Sequence, residues 1–96
     1  MILSFADRTT QDIYDGTESK HARKIPKALW PLVRRKLDAL AYAHDALDLR
    51  APPGNRLERL HGDLAGKWSI RVNDQYRVVF AFKGGNATDV LVTDYH

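Results

Sequence analysis

KWSIRVNDQYRVVFAF, residues 67–82, carries the clearest structural signal of the chain, because apolar and polar side chains alternate on both sides of an Asn-Asp turn. Alternation with a period of two is typical of strands that bury one face, and two such strands around a turn form a hairpin. A two-residue loop would set Ile70 against Arg77 and mix polar with apolar side chains. An odd loop, residues 73–75, sets Ile70 against Val78 instead, so we predict the odd loop.

The same register places Arg71 and Arg77 directly opposite each other on the other face of the hairpin. Like charges in that position are unfavourable unless an anion lies between them. A phosphodiester would serve, because guanidinium groups bind phosphate oxygens through paired hydrogen bonds. The hairpin register therefore predicts an anion site, with an acidic patch of a protein partner as the alternative anion.

A long helix precedes the hairpin. Apolar residues recur there at spacings of three and four, the period of a helix with one buried face; they are Leu29, Leu32, Val33, Leu37, Leu40 and Leu47. Proline is tolerated only in a first helical turn, so the helix begins between Pro26 and Pro31. It ends before Ala51, because the PPGN of residues 52–55 is incompatible with a helix. His44 then falls near the buried stripe, where a structural role is expected.

The remaining segments complete a small α+β protein. The apolar opening, residues 2–5, is consistent with an edge strand, and residues 7–15 with a short helix closed by Gly16. After the hairpin, a glycine turn leads to a final strand over about residues 88–94. We expect one domain, residues 1–96, with two N-terminal helices packed on a small, mostly antiparallel sheet.

Positive charge is clustered rather than spread evenly. The net charge is +3, but seven cations and no acid lie within residues 20–36, namely Lys20, Arg23, Lys24, Lys27, Arg34, Arg35 and Lys36. A second basic group runs from Arg50 to Arg77 and includes Arg56. Such clusters are expected of a protein that approaches phosphate backbones, so these residues are candidates for RNA binding. An ordinary solvated helix face is the alternative.

Several classes of protein are excluded by composition and spacing. The chain has no cysteine, so a disulfide framework and a cysteine-bearing zinc site are impossible. No two histidines stand at ligand spacing, so we expect neither a metal nor another cofactor. The early residues lack the apolar run of a signal peptide and no stretch is long enough to span a membrane, so a cytoplasmic protein is expected.

Three segments resemble the HigB toxins of the RelE/ParE superfamily. They are PPGNRLERL at 52–60 with Gly62, GKWSIRVNDQYR at 66–77, and the terminal Asp94-Tyr95-His96. The resemblance covers essentially the whole chain and implies a RelE-like fold. It also implies a ribosome-dependent mRNA endoribonuclease of a type II toxin–antitoxin system. Its partners would be the ribosome with its mRNA and a HigA-like helix-turn-helix antitoxin, with a heterotetramer as one arrangement.

The resemblance also suggests roles for particular residues. Metal-free RNA cleavage needs a base for the ribose 2′-hydroxyl, cations for the phosphate and an acid for the leaving oxygen. Glu58 is the candidate base, and Arg71 and Arg77 match the phosphate-binding arginines of the family. His96 is the candidate acid and Tyr95 could stack on a base or bind the phosphate, while Asp94 would support them. Adjacent strand residues point to opposite faces, so Tyr95 and His96 cannot both face one site in a regular strand.

Two other functions remain open from the sequence. One is a non-catalytic inhibitor of DNA gyrase, as in the ParE branch, which shares the fold but lacks the terminal Asp-Tyr-His. The other is an inactive RNA-binding relative.

Overall fold

The computed structural model describes residues 1–94, which form helices on one face of an antiparallel sheet. The helices are α1 (Arg8–Asp15) and α2 (Trp30–Tyr42), and the strands are β1 (Glu58–Arg59), β2 (Lys67–Arg71), β3 (Tyr76–Lys83) and β4 (Asn86–Asp94). Short 3-10 segments connect them. The strand order is β1-β2-β3-β4, with each neighbouring pair antiparallel. The α+β architecture predicted from the sequence is confirmed.

The β2–β3 hairpin has the odd loop that the sequence predicts. Ile70 pairs with Val78, and the Val72 amide donates to the Tyr76 carbonyl at 2.9 Å, which closes a loop of residues 73–75. The Asn73 side chain accepts hydrogen bonds from the loop amides of Gln75 and Tyr76. The loop is therefore held by its own sequence as well as by the apolar face that it aligns.

The chain opening pairs with β4 in the parallel direction. Isolated bridges join Ile2 to Ala87 and Phe5 to Val90, so the predicted edge strand is present as two bridges held by four backbone hydrogen bonds to β4. Between them β4 carries an extra residue, where Asp89 takes a left-handed conformation with φ 52°. A bulge of this kind bends an edge strand and lets the opening segment follow it.

Helix α1 begins and ends as predicted. The Asp7 side chain caps its first turn by accepting from the Thr10 amide at 2.8 Å, and Gly16 closes it with φ 77°, a conformation that favours glycine. The Thr10 hydroxyl accepts from the Val92 amide at 2.9 Å and so ties α1 to β4.

Helix α2 is shorter than the apolar stripe suggests. It starts at Trp30, inside the predicted interval, but it ends at Tyr42, and the chain continues as a 3-10 segment over Ala46–Arg50. The expectation that the helix extends to Leu47 is wrong, because Asp45 and Asp48 form a capping box that starts the new segment. Leu47 is 44% exposed, and His44, which the sequence places near the buried stripe, is exposed as well.

The core lies between α2 and the face of the sheet that carries Ile70, Val78 and Phe80, all fully buried. Val33 and Leu37 of α2 pack against this face and are also fully buried. Within the described part of the chain, no helix is long and apolar enough to cross a membrane. The helices cover one face of the sheet, so the polar residues of the hairpin lie on the other.

Candidate active site

The polar face of the sheet carries an open cleft of about 280 Å³ beside the paired arginines. Arg71 and Arg77 occupy directly opposite positions of the β2–β3 ladder, as the register predicts. Glu58 pairs with Ser69, which lies two residues before Arg71 and therefore on the same face. The cleft is lined by Arg56, Glu58, Arg71, Asn73, Asp74 and Arg77. Three residues proposed from the sequence for chemistry are thus brought together.

The guanidinium of Arg77 is held by three hydrogen bonds. Its Nε donates to the Ser69 hydroxyl at 2.8 Å, and one Nη donates to the carbonyls of Arg56 at 2.6 Å and Ser69 at 3.3 Å. Ser69 is fully buried, so this hydroxyl is a fixed acceptor. The other Nη group makes none of these bonds. Arg77 is therefore a positioned cation with donors left for an anion.

Arg71 is held differently, by a carboxylate. It forms an ion pair with Asp74, whose side chain is 99% exposed in the hairpin loop. An exposed ion pair of this kind contributes little stability, so a phosphate can replace the carboxylate at small cost. The two arginines therefore differ: Arg77 is fixed by buried groups, and Arg71 is paired with an anion that solvent surrounds.

Glu58 reaches the cleft because the preceding segment turns sharply. Arg56 has a left-handed backbone with φ 44° at the end of the 3-10 segment Pro53–Asn55. That turn aims its carbonyl at Arg77 and leads the chain into β1 at the sheet edge. Glu58 is exposed, so its carboxylate is accessible to a molecule bound in the cleft.

Lys36 links helix α2 to this side of the molecule. Its Nζ donates to the Asn55 side-chain oxygen at 2.5 Å, and buried Asn55 donates in turn to the carbonyls of Leu49 and Ala51. Burial, together with the charges of Arg35 and Arg71, lowers the pKa of Lys36. Lys36 is thus close enough to Arg71 for the two charges to influence each other.

The other cations of the basic stretch lie apart from the cleft. Lys27 pairs with Glu18 at 2.8 Å, and Arg34 donates to the Ile13 carbonyl at 2.8 Å, where it caps the end of α1. Lys27 is exposed, as are Lys20, Arg23, Lys24 and Arg35. Among residues 1–94, the lining of the cleft includes none of the cations from 20 to 36. They form a separate basic surface.

The chain end is described only up to Asp94. Its carboxylate accepts from the Gln75 side chain at 3.0 Å, and its backbone pairs with Tyr76 beside the hairpin loop. The proposed roles of Tyr95 and His96 lie outside the described residues. Over residues 1–94 no group of three or more His, Asp and Glu side chains is placed to hold a metal ion.

Sequence reasoning missed three residues that shape the site. They are Ser69, Asp74 and Asn55, which hold Arg77, Arg71 and Lys36 respectively. Ser69 could have been found, because the period of two puts it on the face of Arg71. Asp74 follows Arg71 by three residues in a turn, and this spacing could have predicted their ion pair. The partner of Lys36 depends on a contact between distant segments and leaves no local signal.

The chain has the fold of the RelE-like proteins. The YoeB–YefM toxin–antitoxin complex from Staphylococcus aureus contains a chain of the same fold, with a TM-score of 0.63 and 16% identity. That match covers 100% of this chain and 98% of the other. The YoeB/ParE toxin from Agrobacterium tumefaciens matches with a TM-score of 0.58 and 15% identity over 99% of this chain and 98% of its own.

Sequence comparison gives the family. The family described as "RelE-like toxin of type II toxin-antitoxin system HigB" matches residues 3–96. Toxin HigB-1 of Vibrio cholerae is 44% identical over 92 residues, which are 96% of this chain and 95% of that protein. A Haemophilus influenzae protein described as uncharacterized is 40% identical over 83 residues, 86% of this chain and 77% of its own. The chain belongs to the HigB-like toxins, and the predicted resemblance is confirmed.

This membership establishes a coarse function. The chain is a toxin of a type II toxin–antitoxin system, and HigB/RelE-like toxins are in general endoribonucleases. The gyrase-inhibitor alternative is not favoured, since the matching family is that of HigB.

Proposed function

We propose that this chain is itself a ribosome-dependent, metal-independent mRNA endoribonuclease and that the paired-arginine cleft is its active site. The observation that carries the proposal is the placement of Glu58, Arg71 and Arg77 around one cleft, with Arg77 fixed by buried Ser69. A base and two cations at one site match the needs of cleavage through the ribose 2′-hydroxyl.

The mechanism assigns each residue one task. Glu58 removes the proton of the 2′-hydroxyl, whose oxygen attacks the adjacent phosphorus. Arg71 and Arg77 hold the non-bridging oxygens as negative charge accumulates on them. His96 gives a proton to the departing 5′-oxygen, which leaves a 2′,3′-cyclic phosphate on one fragment and a 5′-hydroxyl on the other. Tyr95 stacks on a neighbouring base, and Asp94 supports this end of the chain.

The remaining cations bind the ribosome in this proposal. The surface formed by Lys20, Arg23, Lys24, Lys27, Arg35 and Lys36, together with Arg34 and Arg56, contacts ribosomal or messenger RNA, so association weakens steeply as salt rises. The protein acts in the cytoplasm as a single-domain toxin and needs no cofactor. A HigA-like helix-turn-helix antitoxin neutralises it, in a heterotetramer or a simpler complex.

Cleavage of a defined mRNA in a purified translation system tests the proposal. Wild-type protein with ribosomes is expected to cut within codons, and Glu58→Ala, Arg77→Ala and a variant lacking His96 are expected to cut at least a hundred-fold more slowly. Omission of ribosomes should abolish cleavage. Intact mRNA with the wild type, together with blocked DNA supercoiling, would contradict the proposal and support gyrase inhibition.

A further inference from the structure

A second concave surface lies on the helix-packed face of the sheet, beyond the end of α2. Because α2 ends at Tyr42, the rings of Trp68 and Phe82 remain partly exposed beside the Gly84-Gly85 turn. The groove measures about 490 Å³, against about 280 Å³ for the cleft. We refer to it as the Trp68 groove; Arg59, Lys83 and His44 also line it.

The chemistry of the groove suits a nucleotide. The guanidinium carbon of Arg59 lies 5.1 Å from the centre of the Trp68 ring, so a planar cation and an aromatic ring are presented together. Nucleobases stack on both kinds of group. Lys83 adds a second exposed cation. Asp45 is the carboxylate in the lining of the groove. It accepts a hydrogen bond from the Leu47 amide as a helix cap, so it is already engaged.

The groove is less suited to a protein helix. An amphipathic helix needs a continuous apolar floor for residues spaced over two turns. Here the large apolar groups are the rings of Trp68 and Phe82, with cations beside them. A flat base with a phosphate fits two rings and two cations better than a helix does.

Strand β1 connects the groove to the proposed active site. It is the edge strand of the sheet, and its two residues are Glu58 and Arg59. Adjacent strand residues point to opposite faces, which is why Glu58 lines the cleft and Arg59 lines the groove. The two sites therefore lie on opposite faces of the sheet and meet at its edge strand. A single-stranded RNA that crosses the edge at β1 can occupy both.

We propose that the Trp68 groove is a second nucleotide-binding site, which takes a base and phosphate of the same single-stranded RNA whose scissile bond lies in the cleft. The site rests on the proposed function, because that function puts RNA in the cleft. The RNA strand passes over β1, and one base stacks on the Arg59–Trp68 pair.

Tryptophan fluorescence gives a direct test. The chain has two tryptophans, and Trp30 is 4% exposed with its indole N–H bonded to the Ile25 carbonyl, so a bound base can contact only Trp68. The probe is a 2′-O-methyl RNA of about six nucleotides, which lacks the attacking hydroxyl and spans both sites. We expect the probe to quench Trp68 at low salt, and a mononucleotide to bind far more weakly.

Matched variants separate the groove from general charge effects. Arg59→Gln and Trp68→Ala should weaken probe binding by about five-fold to a hundred-fold, the range for loss of a stacked base. Trp68→Phe, which keeps a ring, should retain most of the affinity measured with a dye-labelled probe. Arg50→Gln is the control, because it removes an exposed arginine that lines neither site. Arg59 is itself exposed, so Arg59→Gln tests the site even if Trp68→Ala folds poorly.

Two results would overturn the inference: no quenching of Trp68 by the probe, or equal affinities for wild type, Arg59→Gln and Arg50→Gln. If Arg59→Gln weakened antitoxin binding and left RNA binding unchanged, the groove would be a protein-binding surface instead. Failure of the proposed function is distinguishable, because quenching by RNA without cleavage of mRNA contradicts the enzyme and not the groove. Cleavage without quenching contradicts the groove alone.

Discussion

Replacement of Ser69 by alanine tests whether catalysis depends on the fixed position of Arg77. The Ser69 hydroxyl is fully buried and accepts the Arg77 Nε at 2.8 Å, while the carbonyls of Arg56 and Ser69 hold one Nη. A hydrogen bond to a charged group contributes about 1.5–3 kcal/mol when no other group replaces it. The two carbonyl contacts survive the substitution, so the loss should fall near the lower limit.

A loss of about 1.4 kcal/mol in the transition state corresponds to about ten-fold in rate. The assay is single-turnover cleavage of a defined mRNA on purified ribosomes, with toxin in excess. Ser69→Ala should reduce the limiting rate about ten-fold and leave the concentration for half-saturation nearly unchanged, because Arg77 keeps its charge but not its orientation. Ser69→Thr keeps the hydroxyl and should recover most of the rate if it folds.

A control is needed because any buried substitution lowers stability. Thr10→Val removes another fully buried hydroxyl, on α1 and outside the cleft lining, so it should lower stability without changing the limiting rate. If Ser69→Ala cleaved within about two-fold of wild type while Arg77→Ala was inactive, the positioning argument would be refuted. A rate loss shared equally by Thr10→Val would refute it too.

Three further predictions concern individual residues. Glu58→Gln should slow cleavage by about 10²- to 10⁴-fold, the usual contribution of a general base. Glu58→His should keep activity, with the acidic limb of its pH–rate profile about two pH units higher, because histidine ordinarily loses its proton at a higher pH than glutamate. Identical profiles for wild type and Glu58→His would exclude Glu58 as the base. Asp74→Asn frees Arg71 from its exposed partner and should tighten binding of a short RNA by up to about five-fold at low salt, with the gain lost at high salt. Weaker binding would mean that Asp74 orients Arg71 rather than competing with the RNA phosphate for it. Thr10→Val leaves the Val92 amide buried without its acceptor, so it should reduce the free energy of unfolding, measured in urea, by about 1–3 kcal/mol. The control Thr17→Val, at an exposed position, should change that free energy by less than about 0.5 kcal/mol.

The β2–β3 hairpin and the final strand could be predicted from the sequence, and the reason is local. The hairpin register follows from which pairing puts Ile70 and Val78 on the same face, and it required no knowledge of the rest of the chain. The apolar pattern alone gave the wrong end for α2, because the stripe continues at helical spacing to Leu47 while the helix ends at Tyr42. The Asp45–Asp48 capping box overrides the stripe, and its own residues could have signalled it.

The candidate site was predictable to the extent that it depends on the hairpin. Arg71 and Arg77 were located by pairing alone, whereas the position of Glu58 depended on the resemblance to HigB toxins. Its two-residue strand has no recognisable alternation, so only the structure shows that it pairs with Ser69. The contact between Lys36 and Asn55 joins segments 19 residues apart, and such a contact leaves no pattern in either segment.

The arginine pair and the core residues lie on opposite faces of the same two strands. The site therefore depends on the register of β2 against β3. A slip of one residue in β2 against β3 would turn Ile70 to solvent and Arg71 into the core, at the cost of a buried charge and an exposed apolar side chain. The pairing that sets Ile70 against Val78 is also the one that sets Arg71 against Arg77. The repulsion between the two arginines is therefore imposed by core packing rather than by direct attraction at the site. The ladder fixes the backbone positions of the two arginines, so both can donate to one anion bound in the cleft.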